Sequence, residues 1–145
     1  MNRPQSGATL IEFCLVLLTF LMFMMGLTDL SRLMFIWNAA TEATRLGARY
    51  AVVCDDTTQK DAVLGRMQQV LPEITDIAVT WEPAGCVVTT CEGVRVTITD
   101  LDFQWVTPIP GFVAPNWSVP DFNKFNTYLS REIMRQDDNS ATICN

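Results

Sequence analysis

The hydrophobic positions of this chain begin with a long apolar run near the N-terminus. Between Phe13 and Leu27 no side chain is charged and large apolar residues predominate. Counted from Ala8, the low-polarity stretch is about 20 residues long, which is the length a helix needs to cross a hydrocarbon layer of about 30 Å. The pattern therefore predicts a transmembrane helix over residues 8–28, preceded by a short polar segment, residues 1–7.

Beyond the apolar run the helical pattern continues and becomes amphipathic. No proline occurs between Gln5 and Leu71, so nothing requires the helix to end before about Val53. We therefore expect one continuous helix of about 45 residues. Its second part, residues 29–53, is expected to pack on the protein's own domain. The residues that recur at helical spacing, and so predict the packing face, are Leu30, Leu33, Met34, Trp37, Ala40, Thr41, Thr44 and Ala48.

Residues 54–145 show the shorter patterns of a globular domain. A cap at Thr57 or Thr58 is expected to begin a second helix that runs to about Val70 and is ended by Pro72. Four prolines and a glycine between residues 108 and 120 predict an ordered loop rather than a strand.

Alternation of apolar and polar residues predicts three strands. In the clearest case, one face carries Val94, Val96 and Ile98, while the other carries Arg95, Thr97 and Thr99. The predicted strands are Ile77–Trp81, a strand from Val94 that extends as far as Phe103 or Trp105, and the weakly alternating Phe125–Met134. Together these elements predict an α+β fold in which the long N-terminal helix packs on a small antiparallel sheet, with one additional helix.

The cysteines indicate an oxidising compartment. Beyond the apolar run lie Cys54, Cys86, Cys91 and Cys144, an even number that fits two disulfides. A zinc site is the alternative, but the chain has no histidine and no Cys-x-x-Cys pair. Four cysteines permit three pairings; we favour Cys86–Cys91, which closes a short loop, and Cys54–Cys144, which ties the C-terminal segment to the end of the long helix. Cys14 lies in the apolar run, where it should behave as a small hydrophobe.

Charge and composition argue against two classes of function. The net charge of −6, without a cluster of lysine or arginine, makes nucleic acid an unexpected partner. The commonest general base is missing because the chain has no histidine. The adjacent pairs Asp55-Asp56 and Asp137-Asp138 suit a turn and a tail rather than an acid–base pair. We therefore expect no enzymatic activity, no cofactor and no metal.

Glu12 is the one ionisable side chain in the low-polarity stretch. An ionised carboxylate near a bilayer core costs several kcal/mol unless it finds a partner. One interpretation places Glu12 at the interface, where it reaches the headgroups. The other requires a cation at the same depth, and cleavage between Gly7 and Ala8 would supply one as the α-amino group of Ala8.

The stretch GATLIEF, Gly7 to Phe13, resembles the processing site of type IV prepilins and pseudopilins. The segment that follows, Gly26 to Val53, most resembles the TadE-like minor pseudopilins of the Tad (Flp) pilus systems. Within it, Arg45 to Ala51 is similar to the A-R-x-G-A-R-x-A stretch of that family. The resemblance covers Gly7 to Val53 well and the rest loosely. The family's best-known members have tyrosine after the glutamate, where this chain has Phe13.

The resemblance implies roles for particular residues. A membrane-embedded aspartic peptidase would cut between Gly7 and Ala8, so residues 1–7 would be a leader peptide. Ala8, Glu12 and Phe13 would be assembly residues, with the Ala8 amine of one subunit paired with the Glu12 carboxylate of a neighbour. The implied fold is pilin-like. The implied partners are other pilins and pseudopilins, the prepilin peptidase, the inner-membrane assembly platform and membrane lipid.

The resemblance therefore implies a minor pseudopilin that takes part in the assembly, initiation or capping of a Tad-type pilus. Arg3 and the cysteines place the N-terminus in the cytoplasm and residues 54–145 in the periplasm of a single-pass inner-membrane protein. The alternative is an unprocessed, membrane-anchored periplasmic binding or scaffold module. A secretory signal peptide fits less well, because its apolar core usually has only about 7–15 residues. A candidate partner surface is the aromatic part of the proline-rich loop, unless its rings simply cover the sheet: Phe112, Trp117 and Phe122.

Overall fold

The computed structural model describes residues 6–54, 60–87, 90–107, 125–131 and 144. The fold is α+β, as the sequence predicts, with a long N-terminal helix, a second helix and a three-stranded antiparallel sheet. In chain order the elements are helix α1, Ser6–Val53, helix α2, Lys60–Gln68, strand β1, Ile74–Glu82, strand β2, Gly93–Leu101, and strand β3, Asn126–Ser130. The proposed cap residues Thr57 and Thr58 and the proline-rich loop lie outside the described residues.

Helix α1 runs without a break from Ser6 to Val53, which confirms the continuous helix expected from the absence of proline. The described residues divide into two compact units. One contains α1 up to Met34 together with residues 104–107, and the other contains α1 from Phe35 together with α2 and the sheet.

The sheet has the order β1-β2-β3, and both pairings are antiparallel. Strand β2 is central: it pairs with β1 along its whole length and with β3 through its first half, from Gly93 opposite Ser130 to Thr97 opposite Asn126. The alternation predicted for β2 is confirmed, because Val94, Val96 and Ile98 are all fully buried.

Strand β1 is irregular near its start. Ile74 and Ile77 are both buried, although residues three apart in a regular strand point to opposite faces. The register shifts on both sides of Asp76, so that Ile74 lies opposite Leu101 and Ile77 lies opposite Ile98. Such a bulge turns the strand locally and places both isoleucines in the core.

Small side chains of α1 form its buried face within the second unit. Thr44 is buried there, and its hydroxyl shares a 2.9 Å hydrogen bond with the Thr127 hydroxyl of β3. The predicted face was partly wrong: Ala40, Thr44 and Ala48 are buried, but Leu30, Met34 and Trp37 are 49%, 56% and 45% exposed. The buried residues of α1 in this unit are Ile36, Ala39, Ala40, Ala43, Thr44, Gly47, Ala48, Ala51 and Val52.

Several predicted element ends were wrong by a few residues. Helix α2 ends at Gln68, before a turn in which the amides of Val70 and Leu71 both donate to the Met67 carbonyl. Strand β2 ends at Leu101 and does not extend to Phe103 or Trp105. Strand β1 begins at Ile74 rather than Ile77. Strand β3 spans Asn126–Ser130, and residues 132–134 of the predicted Phe125–Met134 lie outside the described residues.

Candidate processing and assembly site

The predicted processing residues lie in the first turn of α1. The helix begins at Ser6, and Gly7 and Ala8 are both exposed. Apart from the adjoining residues and the backbone of α1, no atom lies within 4 Å of the position that a Cβ on Gly7 would occupy. The first turn of a helix also has amides without intrahelical partners and frays readily. The described residues therefore leave Gly7 and Ala8 uncovered, and cleavage between them stays a prediction.

Glu12 follows Ala8 by one helical turn and lies on the same side of α1. Its side chain is exposed. Among the residues that the structure describes, none forms a hydrogen bond or an ion pair with the Glu12 carboxylate. The ring of Phe13 is 65% exposed beside it. Any counter-charge for Glu12 therefore has to come from outside the described part of the chain.

The helix around these residues is apolar on all sides. Every large apolar side chain from Leu10 to Leu27 is at least 40% exposed, a surface too extensive for a monomer in water. By length and composition α1 is able to cross a membrane, and its most apolar window is entirely unburied. One long apolar N-terminal helix of this kind is compatible with a single-pass membrane anchor.

Two of the three threonines of the predicted span, Thr19 and Thr28, have hydroxyls that bond to the helix itself. The Thr19 hydroxyl lies 3.1 Å from the Leu15 carbonyl oxygen and 2.9 Å from that of Val16. The Thr28 hydroxyl donates to the Met25 carbonyl at 2.7 Å. Internal bonds of this type satisfy polar side chains where water is absent. Neither threonine therefore needs a partner outside α1, in contrast to Glu12.

A second carboxylate of α1, Asp29, has a distinct environment that could not be recognised from the sequence. Its side chain is almost fully buried, and Oδ1 accepts a hydrogen bond from the Val106 amide at 3.2 Å. Oδ2 accepts from both the amide and the hydroxyl of Thr107. The Arg32 guanidinium lies 3.9 Å from Oδ1 and donates to the Gln104 carbonyl. Asp29 and Arg32 thus fasten residues 104–107 to α1.

These contacts keep Asp29 ionised. Burial by itself would raise the pKa of the carboxyl group. The hydrogen bonds from the hydroxyl and amide of Thr107, the amide of Val106 and the charge of Arg32 outweigh burial and hold the pKa of Asp29 below its ordinary value of 3.8. The only local signal is a carboxylate three residues before an arginine at the end of the apolar run. Its partners lie 77 and 78 residues away in sequence.

The four cysteines beyond the apolar run form two disulfides. Cys54 bonds to Cys144 and Cys86 bonds to Cys91, with Cα–Cα distances of 5.4 and 5.1 Å. These are the two pairs that we favoured from the sequence. Cys14 is an exposed free thiol on α1. Within the described ranges, no group of three or more potential ligand residues could hold a metal ion. The pairs Asp55-Asp56 and Asp137-Asp138 and the rings of Phe112, Trp117 and Phe122 fall outside those ranges.

Residues 7–49 match the family model described as TadE-like protein. The matched segment contains all of the predicted processing and assembly residues, and it also contains Asp29 and Arg32. Neither the curated proteins nor the solved structures gave a match. The resemblance identified in the sequence is confirmed over this range: residues 7–49 are a TadE-like segment, as expected of a protein associated with Tad pili.

Proposed function

We propose that this chain is a minor pseudopilin that takes part in the assembly, initiation or capping of a Tad-type pilus. The observation that carries the proposal is Glu12. It is the single charge of a helix segment that is exposed and apolar on all sides, and it lies one turn from the Ala8 amide. The TadE-like match over residues 7–49 supports this assignment.

In the proposed mechanism, a prepilin peptidase removes residues 1–7 and converts the Ala8 nitrogen into a free ammonium group. That ammonium pairs with the Glu12 carboxylate of a neighbouring pilin or pseudopilin. In a low-dielectric environment such a pair is strongly attractive, whereas an unmatched carboxylate carries a large desolvation cost. The pairing therefore selects subunits and fixes their axial register as they leave the membrane.

The proposed topology follows from charge and redox chemistry. Residues 8–28 span the bacterial inner membrane, the short N-terminal segment with Arg3 stays in the cytoplasm, and residues 54–145 lie in the periplasm, where disulfides persist. The partners are other pilins and pseudopilins, the inner-membrane assembly platform and membrane lipid, with incorporation into the extracellular pilus. The chain is proposed to act by binding alone, without catalysis and without nucleic acid.

Substitution of Glu12 tests the pairing. We expect Glu12→Ala and the isosteric Glu12→Gln to insert into the membrane at the wild-type level in cells that carry the complete pilus machinery. Their amount in sheared pili should fall at least about tenfold, because even about 1.4 kcal/mol of lost pairing changes an equilibrium tenfold. Immunoblots of membrane and pilus fractions measure both quantities.

Thr19→Val is the matched control for this experiment. It removes a polar group from the same segment, but one whose hydroxyl is already bonded within α1. Its incorporation should equal that of the wild type. Wild-type incorporation of both Glu12 variants would rule out the pairing role.

Intact mass separates this proposal from an unprocessed periplasmic scaffold or binding module. In cells that produce the matching peptidase, the mature protein should lack residues 1–7 and begin at Ala8. A Gly7→Val variant should retain the leader, because it fills the open position beside the scissile bond. Retention of the leader by the wild-type protein would favour the scaffold.

A further inference from the structure

Residues 104–107 lie against α1 just beyond the predicted span. They belong to the same compact unit as α1 up to Met34. The Val106 amide donates to Asp29 Oδ1 at 3.2 Å. Asp29 follows Ala8 by about 32 Å along a helix that rises about 1.5 Å per residue. Because a hydrocarbon layer is about 30 Å thick, this bond holds the segment at the level where a membrane that starts at Ala8 would end.

The apolar surface of this unit continues past the span. Leu30 and Met34 are both exposed, although they follow residue 28. The side chain of Val106 is 69% exposed, even though its amide is bonded to α1. Trp105 precedes it, and tryptophan is enriched at membrane–water interfaces. Apolar side chains from two separate parts of the chain therefore lie exposed around the position of Asp29.

Asp29 suits a place at a membrane surface because its charge needs no water. An ionised carboxylate near hydrocarbon is unfavourable unless it finds partners. Here the donors come from the protein, namely the amide of Val106 and the amide and hydroxyl of Thr107. The side chain is almost fully buried beneath them. Asp29 can therefore hold residues 104–107 at the membrane without presenting its charge to lipid.

We propose that residues 104–107 are a membrane-contact segment, in which Val106 inserts among the lipids at the periplasmic boundary of the bilayer that α1 crosses. The partner is the lipid surface itself, because the exposed side chains are apolar and continue the apolar surface of the span. The inference rests on the proposed span, residues 8–28, but on neither cleavage nor a role in pilus assembly. Asp29 is the positioning residue that keeps the segment at the bilayer.

A fluorophore at position 106 tests the contact. The full-length chain is placed in phosphatidylcholine nanodiscs at one copy per disc, so that both membrane faces are open to solvent. Cys14→Ser removes the free thiol, and Val106→Cys then carries an environment-sensitive NBD dye. The reference is Val70→Cys, at an exposed valine of the predicted periplasmic part. We expect aqueous iodide to quench the dye at position 106 at least about threefold less than at position 70.

Lipids that carry a nitroxide near the headgroup provide the complementary measurement. They should quench the dye at position 106 and leave the dye at position 70 unquenched. Equal quenching of the two positions, by iodide or by these lipids, would overturn the membrane-contact segment. Shielding of position 106 that appears only with two copies per disc would also overturn it, since the surface would then belong to a second copy.

Leu18→Cys separates failure of this inference from failure of the proposed topology. Position 18 is at the middle of the predicted span, so its dye should be shielded from iodide and quenched most by nitroxides deep in the acyl chains. Access of iodide to position 18 would contradict the span itself. Shielding at position 18 together with free access at position 106 would overturn the membrane-contact segment alone.

Asp29→Ala tests what holds the segment in place. Combined with Val106→Cys, it should raise iodide quenching at position 106 to the level seen at position 70. Glu42→Gln removes an exposed carboxylate of the same helix and should leave the quenching unchanged. Continued shielding of position 106 in Asp29→Ala would overturn the positioning role of Asp29.

Discussion

Polar side chains along the first part of α1 differ in which groups form hydrogen bonds with them. Thr19 and Thr28 use carbonyl groups of their own helix. Asp29 uses the backbone of residues 106 and 107. Glu12 has neither kind of partner within the described residues. At the scale of single residues, Glu12 is therefore a carboxylate without a counter-charge among the described residues, whereas Asp29 is a structural carboxylate.

Removal of the Asp29 carboxylate should release residues 104–107 without unfolding the sheet. In Asp29→Ala, the amides of Val106 and Thr107 and the Thr107 hydroxyl lose their acceptor, which costs about 1–3 kcal/mol. We expect these two amides to exchange hydrogen about 10–100-fold faster, as measured by hydrogen-exchange mass spectrometry. Glu42→Gln, which removes an exposed carboxylate of the same helix, should leave their exchange unchanged.

The same contact should depend on pH. Because the folded-state pKa of Asp29 is lower than 3.8, the closed segment binds fewer protons than the released one, and its stability rises with pH. The full contribution is present above about pH 5 and is lost as the pH falls through the folded-state pKa. Protection of Thr107, corrected for intrinsic exchange, should decline over that acid range in the wild type. A decline of equal size in Asp29→Asn would contradict this account.

At the scale of elements, local patterns predicted what lies within one helix or strand. The continuity of α1 followed from the absence of proline, and the buried face of β2 followed from Val94, Val96 and Ile98. The start of β1 could not be predicted in this way. The bulge at Asp76 interrupts the alternation of the strand, so that Ile74 and Ile77 are both buried although they are three residues apart. The packing face of α1 was misjudged for a different reason. Large residues such as Met34 weigh heavily in a hydrophobic pattern, whereas most of the buried hydrophobic residues of α1 are alanines.

The close approach of α1 and α2 should not tolerate a methyl group. In Gly47→Ala, the new Cβ would meet the sulfur and Cγ of buried Met67. Overpacking costs about 1–3 kcal/mol, which exceeds the gain of about 1 kcal/mol from better helix propensity. We expect a lower midpoint in thermal unfolding of the full chain in detergent. In Gly65→Ala on α2, the added Cβ has no atom within 4 Å apart from the adjoining residues and its own helix backbone, so this variant should be neutral or more stable.

At the scale of the whole molecule, two cross-links of very different reach constrain the chain. Cys54–Cys144 joins residues 90 apart, whereas Cys86–Cys91 joins residues 5 apart. In the chain-entropy model, the longer loop contributes about 4–5 kcal/mol and the shorter about 2 kcal/mol. Denaturant unfolding should therefore show a larger loss of stability for Cys54→Ser/Cys144→Ser than for Cys86→Ser/Cys91→Ser. Equal losses would contradict the entropic account.

Contacts between residues that are far apart in the sequence limit how much of the structure could be predicted from the sequence alone. The candidate site at Gly7, Ala8, Glu12 and Phe13 is one contiguous stretch, and its resemblance to pilin processing sites made it visible. The Asp29 contact depends on partners 77 and 78 residues away, which no periodicity connects. Cysteine pairing was an intermediate case, since counting reduced it to three alternatives and loop length favoured one.

The Cys54–Cys144 bond also governs what a protease can release. A single cut anywhere between these cysteines leaves two pieces that are still covalently joined, so the distal fragment stays attached to the apolar helix. Digested protein would migrate as one species on a non-reducing gel and as two after reduction. A protein that carries this bond can thus be cut once within residues 55–143 without losing the fragment that contains Cys144.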